Sequence, residues 1–212
     1  MVRCGKSLEA YQTLANSITA FETLADLLLS DAAYAALTEL IEEHRKQFPG
    51  DCRTFGYEGE SLSHRGQWED AERAFAEGQH VCVPADTEDF FNAQLMLTSR
   101  VRCLVMLDRS IEGCRVLGGD ENVVMLFAEE LIAADRVDQL KRFLEEFPVQ
   151  DPSARRRWKA EIAFAGEDYQ LVIPLLQTPA SGFWRRVIAA IAQPLTESEQ
   201  DKLIRSLIFA GD

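Results

Sequence analysis

Apolar residues recur at steps of three and four residues along most of this chain, and alternating apolar and polar runs are rare. This spacing places apolar side chains on one face of an α-helix. Proline and glycine interrupt the pattern, for example at Pro49–Gly50, Gly66 and Gly118–Gly119. The segments between such breaks are about 12 to 22 residues long, which suits a single helix each. The sequence therefore predicts an all-α protein.

The predicted helices follow one another in pairs with short connections, which favours antiparallel helical hairpins. An extra helix is predicted near residues 7–16. The predicted pairs are 18–30 with 32–48, 52–65 with 67–82, 86–107 with 109–117, 121–134 with 136–147, 153–165 with 168–177, and 181–192 with 196–210. Because no long polar linker separates any pair, we expect residues 1–212 to form one domain.

Two stretches overlay on each other at a spacing of 34 residues. The first set is Phe21, Leu24, Ala25, Leu28, Tyr34, Leu37, Ile41 and Pro49, and the second is Phe55, Gly59, Leu62, Gly66, Trp68, Ala71, Phe75 and Pro84. A fixed period in this range indicates stacked units that cannot bury their apolar faces alone. We expect a curved helical solenoid, an architecture that usually presents a binding surface.

The second stretch resembles a tetratricopeptide repeat, with small residues where the two helices of a unit cross and large residues between them. Two positions depart from that family's pattern. Glu58 stands where an apolar residue is expected, and His44, in the first stretch, stands where a small residue is usual. The resemblance implies a right-handed α-α superhelix of about five to six antiparallel helix pairs.

Within this resemblance, the units 18–51 and 52–85 match best, whereas 121–152 and 153–180 match more weakly. Residues 181–212 are expected to form a capping hairpin. The region 86–119 lacks the pattern, because its first helix looks too long and its second too short.

The resemblance also implies a concave groove lined by the first helix of each hairpin. Carried over by position, the groove residues are Arg53, Tyr57, Glu60, His64, Asn122, Met125, Glu129, Arg157, Trp158 and Glu161, accompanied by Thr19, Glu22 and Asp26. Mixed charge combined with Tyr, Trp and Arg is typical of a peptide-binding surface. The alternative is an ordinary solvated helix face. The clamp of Lys and Arg with which some family members hold a peptide carboxyl terminus is not evident.

The chain is acidic, with 22 Lys and Arg against 35 Asp and Glu and a formal net charge of −13. Such a surface repels phosphate backbones, so we expect no nucleic-acid partner. A basic protein or peptide fits better, although solubility alone also accounts for the charge. The apolar run Leu27–Leu29 is far too short to span a bilayer, so we expect no membrane partner.

The cysteine count is odd, at five, and no two cysteines are spaced as C-x-x-C. This argues against a disulfide framework and favours a reducing compartment. No signal-peptide apolar core follows the first residues, so we expect a cytoplasmic protein.

Neither a metal site nor a catalytic site is predicted. His44, His64 and His80 lie near Cys52 and Cys82 in sequence, but without a recognised ligand spacing. No phosphate-binding loop and no G-x-S-x-G motif occurs. We therefore predict no metal, no cofactor and no enzymatic activity.

Arg155, Arg156 and Arg157 place positive charge in the first turns of a predicted helix, where it opposes the helix dipole. We expect Glu145 and Glu146, at the end of the preceding helix, to offset this charge. An acidic partner segment is the alternative.

The function predicted from these features is that of a non-catalytic scaffold that binds a peptide or protein in its groove. Three alternatives stay open. The chain could be the regulatory or sensor domain of a larger multidomain protein, or an enzyme whose site is assembled from scattered residues. It could instead associate with itself as a homodimer through apolar residues near its carboxyl end, namely Phe183, Trp184, Ile208 and Phe209.

Overall fold

A computed structural model of the protein describes residues 6–14, 16–82 and 87–166, and every regular element among them is an α-helix. The all-α prediction is confirmed. The helices are α1 Ser7–Thr13, α2 Ile18–Ser30, α3 Tyr34–Gln47, α4 Arg53–His64, α5 Trp68–Val81, α6 Thr87–Met106, α7 Ser110–Val116, α8 Glu121–Ala133, α9 Val137–Glu146 and α10 Pro152–Ala165. The helices predicted at 168–177, 181–192 and 196–210 lie outside the described residues.

Helix starts follow the side-chain chemistry of the residues that precede them. Asp120 accepts a hydrogen bond from the backbone N–H of Val123 at 2.9 Å and so caps α8. Asp151 caps α10 by accepting from the N–H groups of Ser153 and Ala154, with Pro152 in the first turn. These bonds satisfy backbone donors that have no partner inside the helix.

The chain divides into two compact units, residues 1–109 and residues 110–212. In the first unit, α2 packs against α3, α3 against α4, α4 against α5 and α5 against α6. In addition, α2 packs against α4 and α4 packs against α6. The first helices of the α2/α3 and α4/α5 hairpins therefore lie side by side, and α6 lies beside α4.

The hairpin of α4 and α5 packs closely because glycine occupies its contact positions. A Cβ atom on Gly78 would lie 2.8 Å from Cβ of Phe55 and 2.5 Å from Sδ of Met96. Only a residue without a side chain fits there. Glycine at this position thus lets α5 approach both α4 and α6.

Glu58, one departure from the repeat pattern, pairs with Arg45 of α3 at 2.6 Å. The guanidinium of Arg45 also donates to Oγ1 of Thr54 and lies 4.5 Å from the ring centroid of Phe55. A partly exposed ion pair therefore replaces the apolar contact expected at this position.

Cys52 and Cys82 are joined by a disulfide bond. This bond runs against the sequence-based argument that disfavoured disulfides and favoured a reducing compartment. They lie 30 residues apart and form no local motif, but α4 and α5 fold back on each other and bring their Cα atoms to 5.4 Å. Cys103 and Cys114 are buried free thiols, and burial raises the pKa of each to about 11.

The predicted irregular region contains a long helix followed by a short one. The first helix, α6, has 20 residues, and α7, in the second unit, has 7. None of the helices in the described part of the chain combines the length and the apolar character needed to cross a bilayer.

In the second unit, α7 packs against α8 and α9, and α9 packs against α10. Its core contains a row of aromatic rings, with Phe127 5.6 Å from Phe143 and Phe143 5.1 Å from Phe147 between centroids. Such tilted ring pairs add to the stabilisation from burial.

Candidate functional site

A cavity of about 320 Å³ opens in the first unit between α2, α4 and α6. Its polar lining includes Glu22, Asp26, Arg53, Tyr57, Glu60 and Ser99, and its apolar lining includes Leu29, Gly56, Phe75, Leu95 and Met96. An apolar surface with a few convergent polar groups is the usual composition of a ligand site. We call this cavity the α2/α4/α6 groove.

The groove brings together Arg53, Tyr57 and Glu60, three of the residues predicted from the sequence. They share one face of α4 because residues three and four apart lie on the same side of a helix. Glu22 and Asp26 share the facing side of α2 for the same reason. These two were also assigned to the groove from the repeat register.

His64, predicted for the same face, does not line the groove. It is exposed in the last turn of α4, where its ring lies 6.4 Å from that of Tyr34 between centroids. The register that places Arg53, Tyr57 and Glu60 in the groove thus leaves His64 beyond its end.

Arg53 is held between two carboxylates. Its Nε atom donates to Oδ1 of Asp51 at 2.9 Å, and its Nη1 atom donates to Oε1 of Glu22 at 3.1 Å. Burial alone would lower the pKa of Arg53, but these acids outweigh it, and the pKa lies above its ordinary value. Arg53 is therefore a fixed cation that links the start of α4 to α2.

Tyr57 forms the second link between α4 and α2. Its hydroxyl donates to Oδ1 of Asp26 at 2.8 Å, and its ring meets that of Phe21 edge-on at 5.5 Å between centroids. Burial, together with the neighbouring Asp26, raises the pKa of Tyr57 above its ordinary value. The phenol therefore stays protonated and remains a hydrogen-bond donor at neutral pH.

The third link joins α4 to α6, where the hydroxyl of Ser99 donates to Oε1 of Glu60 at 2.7 Å. Each of the three groove acids thus receives one internal hydrogen bond on one oxygen. Among the residues that the structure describes, no donor contacts the second oxygen of Glu22, Asp26 or Glu60. The groove therefore presents positioned carboxylates with acceptor capacity to spare.

The remaining predicted residues lie in the second unit, on α8 and α10. Asn122 is exposed, whereas Met125, Glu129, Arg157 and Glu161 are half-buried. The second half of the predicted groove, on these two helices, stays a prediction.

Trp158 was expected on the binding face, but its side chain is fully buried, with 0% of its surface exposed. Its indole Nε1 lies 3.4 Å from Oε1 of Glu129, which also pairs with Arg157. The large ring contributes to the core of the second unit and is not available to a partner. Sequence position alone could not distinguish the face of α10 that is buried in the core from the face that is open to a partner.

The basic run Arg155–Arg157 at the start of α10 lies next to an acidic residue of α8. Arg157 pairs with Glu129, and Arg155 donates to the backbone carbonyl of Val149 at 3.0 Å through Nε. Glu146, which was expected to offset the run, pairs with Arg115 of α7 instead. The charge of Glu146 is therefore engaged by α7, whereas the role expected of Glu145 stays a prediction.

A buried chain of polar side chains lies behind the groove. The hydroxyl of Tyr11 is hydrogen-bonded to Nδ1 of His44 at 2.5 Å, and Nε2 of His44 is hydrogen-bonded to Oδ2 of Asp51 at 2.8 Å. His44 also stacks on Phe21, at 4.0 Å between ring centroids. His44, the second departure from the repeat pattern, is therefore a core residue with both ring nitrogens satisfied.

The hydrogen-bonded side chains of Tyr11, His44 and Asp51 have the connectivity of a hydroxyl, a base and an orienting carboxylate, as in a catalytic triad. However, Tyr11 and His44 are each 0% exposed, so no substrate atom could reach the hydroxyl. The arrangement anchors α1 and the start of α4 to α3, and we assign it a structural role. In the described part of the chain, no three His, Cys, Asp or Glu residues cluster as a metal site.

Sequence reasoning missed the wall of the groove that α6 provides. Leu95, Met96 and Ser99 lie in the region that lacks the repeat pattern, so no register assigned them to a face. The apolar character of Leu95, which is 53% exposed, was the one sequence feature that could have indicated this wall of the groove.

Comparison with known proteins adds no relative to this picture: no family model, no curated protein and no solved structure matches the chain.

Proposed function

We propose that the protein is a non-catalytic protein-interaction module that binds a peptide segment of its partner in the α2/α4/α6 groove. The observation that carries this proposal is the lining of the groove, in which apolar side chains lie beside acids already oriented by internal hydrogen bonds. A groove fixed in this way loses little conformational freedom on binding, which favours affinity.

The packing of the first unit supports this proposal. The groove forms where α2 and α4, the first helices of two successive hairpins, pack side by side and α6 packs against α4. Tetratricopeptide-like arrays use this layer for binding, so the proposal includes the right-handed superhelix that the sequence resemblance implies. A protein partner with basic character belongs to the same proposal.

A selection from a library of random 12-residue displayed peptides tests the proposal. We expect peptides that bind the intact chain and lose affinity when Gly56 is replaced by leucine. Gly56 lines the groove, and a Cβ atom there has Met96 Cε as its nearest neighbour, at 3.8 Å. The longer leucine side chain would therefore project into the groove without forcing α4 away from its neighbours.

Gly50→Leu is the matched control, since it adds the same bulk at an exposed turn with no atom within 4 Å of the new Cβ. Binding should survive Gly50→Leu and decline with Gly56→Leu. A selection without binders, or binders indifferent to Gly56→Leu, would refute the proposed function.

A further inference from the structure

The α2/α4/α6 groove carries an excess of negative charge on an apolar floor. Among the described residues, its lining includes the carboxylates of Glu22, Asp26 and Glu60 and one guanidinium, that of Arg53. The charge of Arg53 is already engaged by Asp51, which is behind the groove and only 6% exposed. A ligand that enters this groove therefore meets a net negative field, which favours a cationic group.

We propose that the groove binds an arginine side chain of the partner peptide, flanked by an apolar residue. This inference rests on the proposed function and specifies its ligand. The free acceptor oxygens come from two helices, Glu22 and Asp26 on α2 and Glu60 on α4. A guanidinium offers five N–H donors in a planar fork, so one group can bond to more than one carboxylate at once.

Lysine fits this arrangement less well. Its ammonium is a compact, strongly hydrated charge, whereas a guanidinium is more weakly hydrated and loses less on entering an apolar site. Arg53 provides an internal example, because its Nη1 atom already donates to Oε1 of Glu22 at 3.1 Å. The second oxygen of Glu22 is the acceptor that we assign to the incoming arginine.

The apolar floor supplies the rest of the recognition. Leu95 is 53% exposed beside the buried Met96, and both line the groove next to the acids. The methylene stem of an arginine can cover this surface while its charged end reaches the carboxylates. The neighbouring apolar residue of the peptide would cover the exposed part of Leu95.

The experiment uses the peptide that binds best in the selection described above, together with two variants in which its arginine is replaced by lysine or by neutral citrulline. Affinities for the intact chain are measured by fluorescence anisotropy. We expect arginine-containing peptides to dominate the selection. Replacement by citrulline should weaken binding about 10- to 100-fold, and replacement by lysine should weaken it less.

The protein is changed in parallel by Glu22→Gln, Asp26→Asn and Glu60→Gln combined. These amides keep an oxygen for the donors Arg53, Tyr57 and Ser99, so the internal hydrogen bonds are retained while the charges are lost. The matched control is Asp31→Asn, Glu39→Gln and Glu69→Gln combined, an equal change of charge at exposed positions outside the groove. Only the groove variant should lose affinity about 10-fold or more.

The two proposals fail in different ways. Peptides that are sensitive to Gly56→Leu but lack arginine, or that bind equally well with citrulline, would overturn the arginine assignment and leave the proposed function intact. An equal loss of peptide affinity in the groove variant and the control variant would also overturn the arginine assignment. The loss would then come from the net charge of the protein and not from contacts in the groove. Binders indifferent to Gly56→Leu would overturn both proposals.

Discussion

Gly59 of α4 faces the ring of Phe75 of α5 so closely that a Cβ atom on Gly59 would lie 2.5 Å from Cε1 of Phe75. Real Cβ atoms essentially never approach a neighbour that closely. Phe75 is 1% exposed and fills the core of the first unit, so it has little room to move. The repeat register predicts a small residue at position 59 and an aromatic residue at position 75. The two are packed directly against each other, so the size of one limits the size of the other.

Gly59→Ala should destabilise the protein by about 1–3 kcal/mol, because overpacking outweighs the gain in helix propensity. Gly56→Ala, three residues earlier in the same helix, should stabilise it by about 0.5–1 kcal/mol. There the new Cβ meets only Met96 Cε, at an ordinary 3.8 Å. Urea unfolding of both variants measures the difference, and equal stabilities would contradict the tight contact.

Tyr11→Phe should cost about 1–3 kcal/mol, because it removes the hydroxyl that bonds to the buried Nδ1 of His44 and to the backbone carbonyl of Asn16. Tyr34→Phe is the matched control. In the described part of the chain the hydroxyl of Tyr34 makes no hydrogen bond, so its removal should change stability by less than about 0.5 kcal/mol. If both variants unfolded at the same denaturant concentration as the intact protein, the Tyr11–His44 bond would contribute nothing.

Asp51 should make folding stability depend on pH at the acid end. Burial alone would raise its pKa, but hydrogen bonds from Arg53 and His44 outweigh burial and hold the pKa below its ordinary 3.8. The folded state therefore binds fewer protons than the unfolded state just below pH 4. The stabilisation is complete above that pH and is lost as the pH falls through the lowered pKa.

Asp51→Asn removes this titration, so the variant should lose less stability than the intact protein between about pH 4.5 and pH 2.5. Denaturant unfolding at several pH values in that range measures both slopes. Asp31→Asn, at an exposed carboxylate, should leave the slope close to that of the intact protein. Identical slopes for the intact protein and Asp51→Asn would exclude a lowered pKa for Asp51.

The Cys52–Cys82 disulfide should contribute about 3–4 kcal/mol, the value expected for a bond that closes a loop of this length. The double variant Cys52→Ser and Cys82→Ser should lose this amount under oxidising conditions. A reductant should bring the intact protein to the stability of the variant and leave the variant unchanged. The bond would be refuted if a non-reducing peptide map contained no peptide that links the two residues.

The local elements could be predicted because their determinants lie close together in sequence. Asp120 and Asp151 cap helices through bonds that reach only two or three residues ahead. The apolar spacing then fixes which face of each helix is buried. Arg53, Tyr57 and Glu60 fell on one face of α4 by the same short-range geometry, so part of the groove could be derived before any packing was known.

Other features depend on residues that are far apart in sequence, and no local pattern encodes them. Ser99 reaches Glu60 across 39 residues, and Tyr11 reaches His44 across 33. The disulfide and the burial of Trp158 likewise depend on how helices return to one another. A sequence pattern indicates which side chains are buried, but it does not indicate which polar groups distant in sequence will form hydrogen bonds with one another.

The amino-acid sequence alone determined the helical class, the positions of most helices and the residues on one wall of the groove, because hydrophobic periodicity and capping act over a few residues. The tertiary structure decided the second wall on α6, the partner of each carboxylate and the removal of Trp158 from the surface. Those outcomes depend on the packing of helices against one another, which sums many weak contacts between residues distant in the chain.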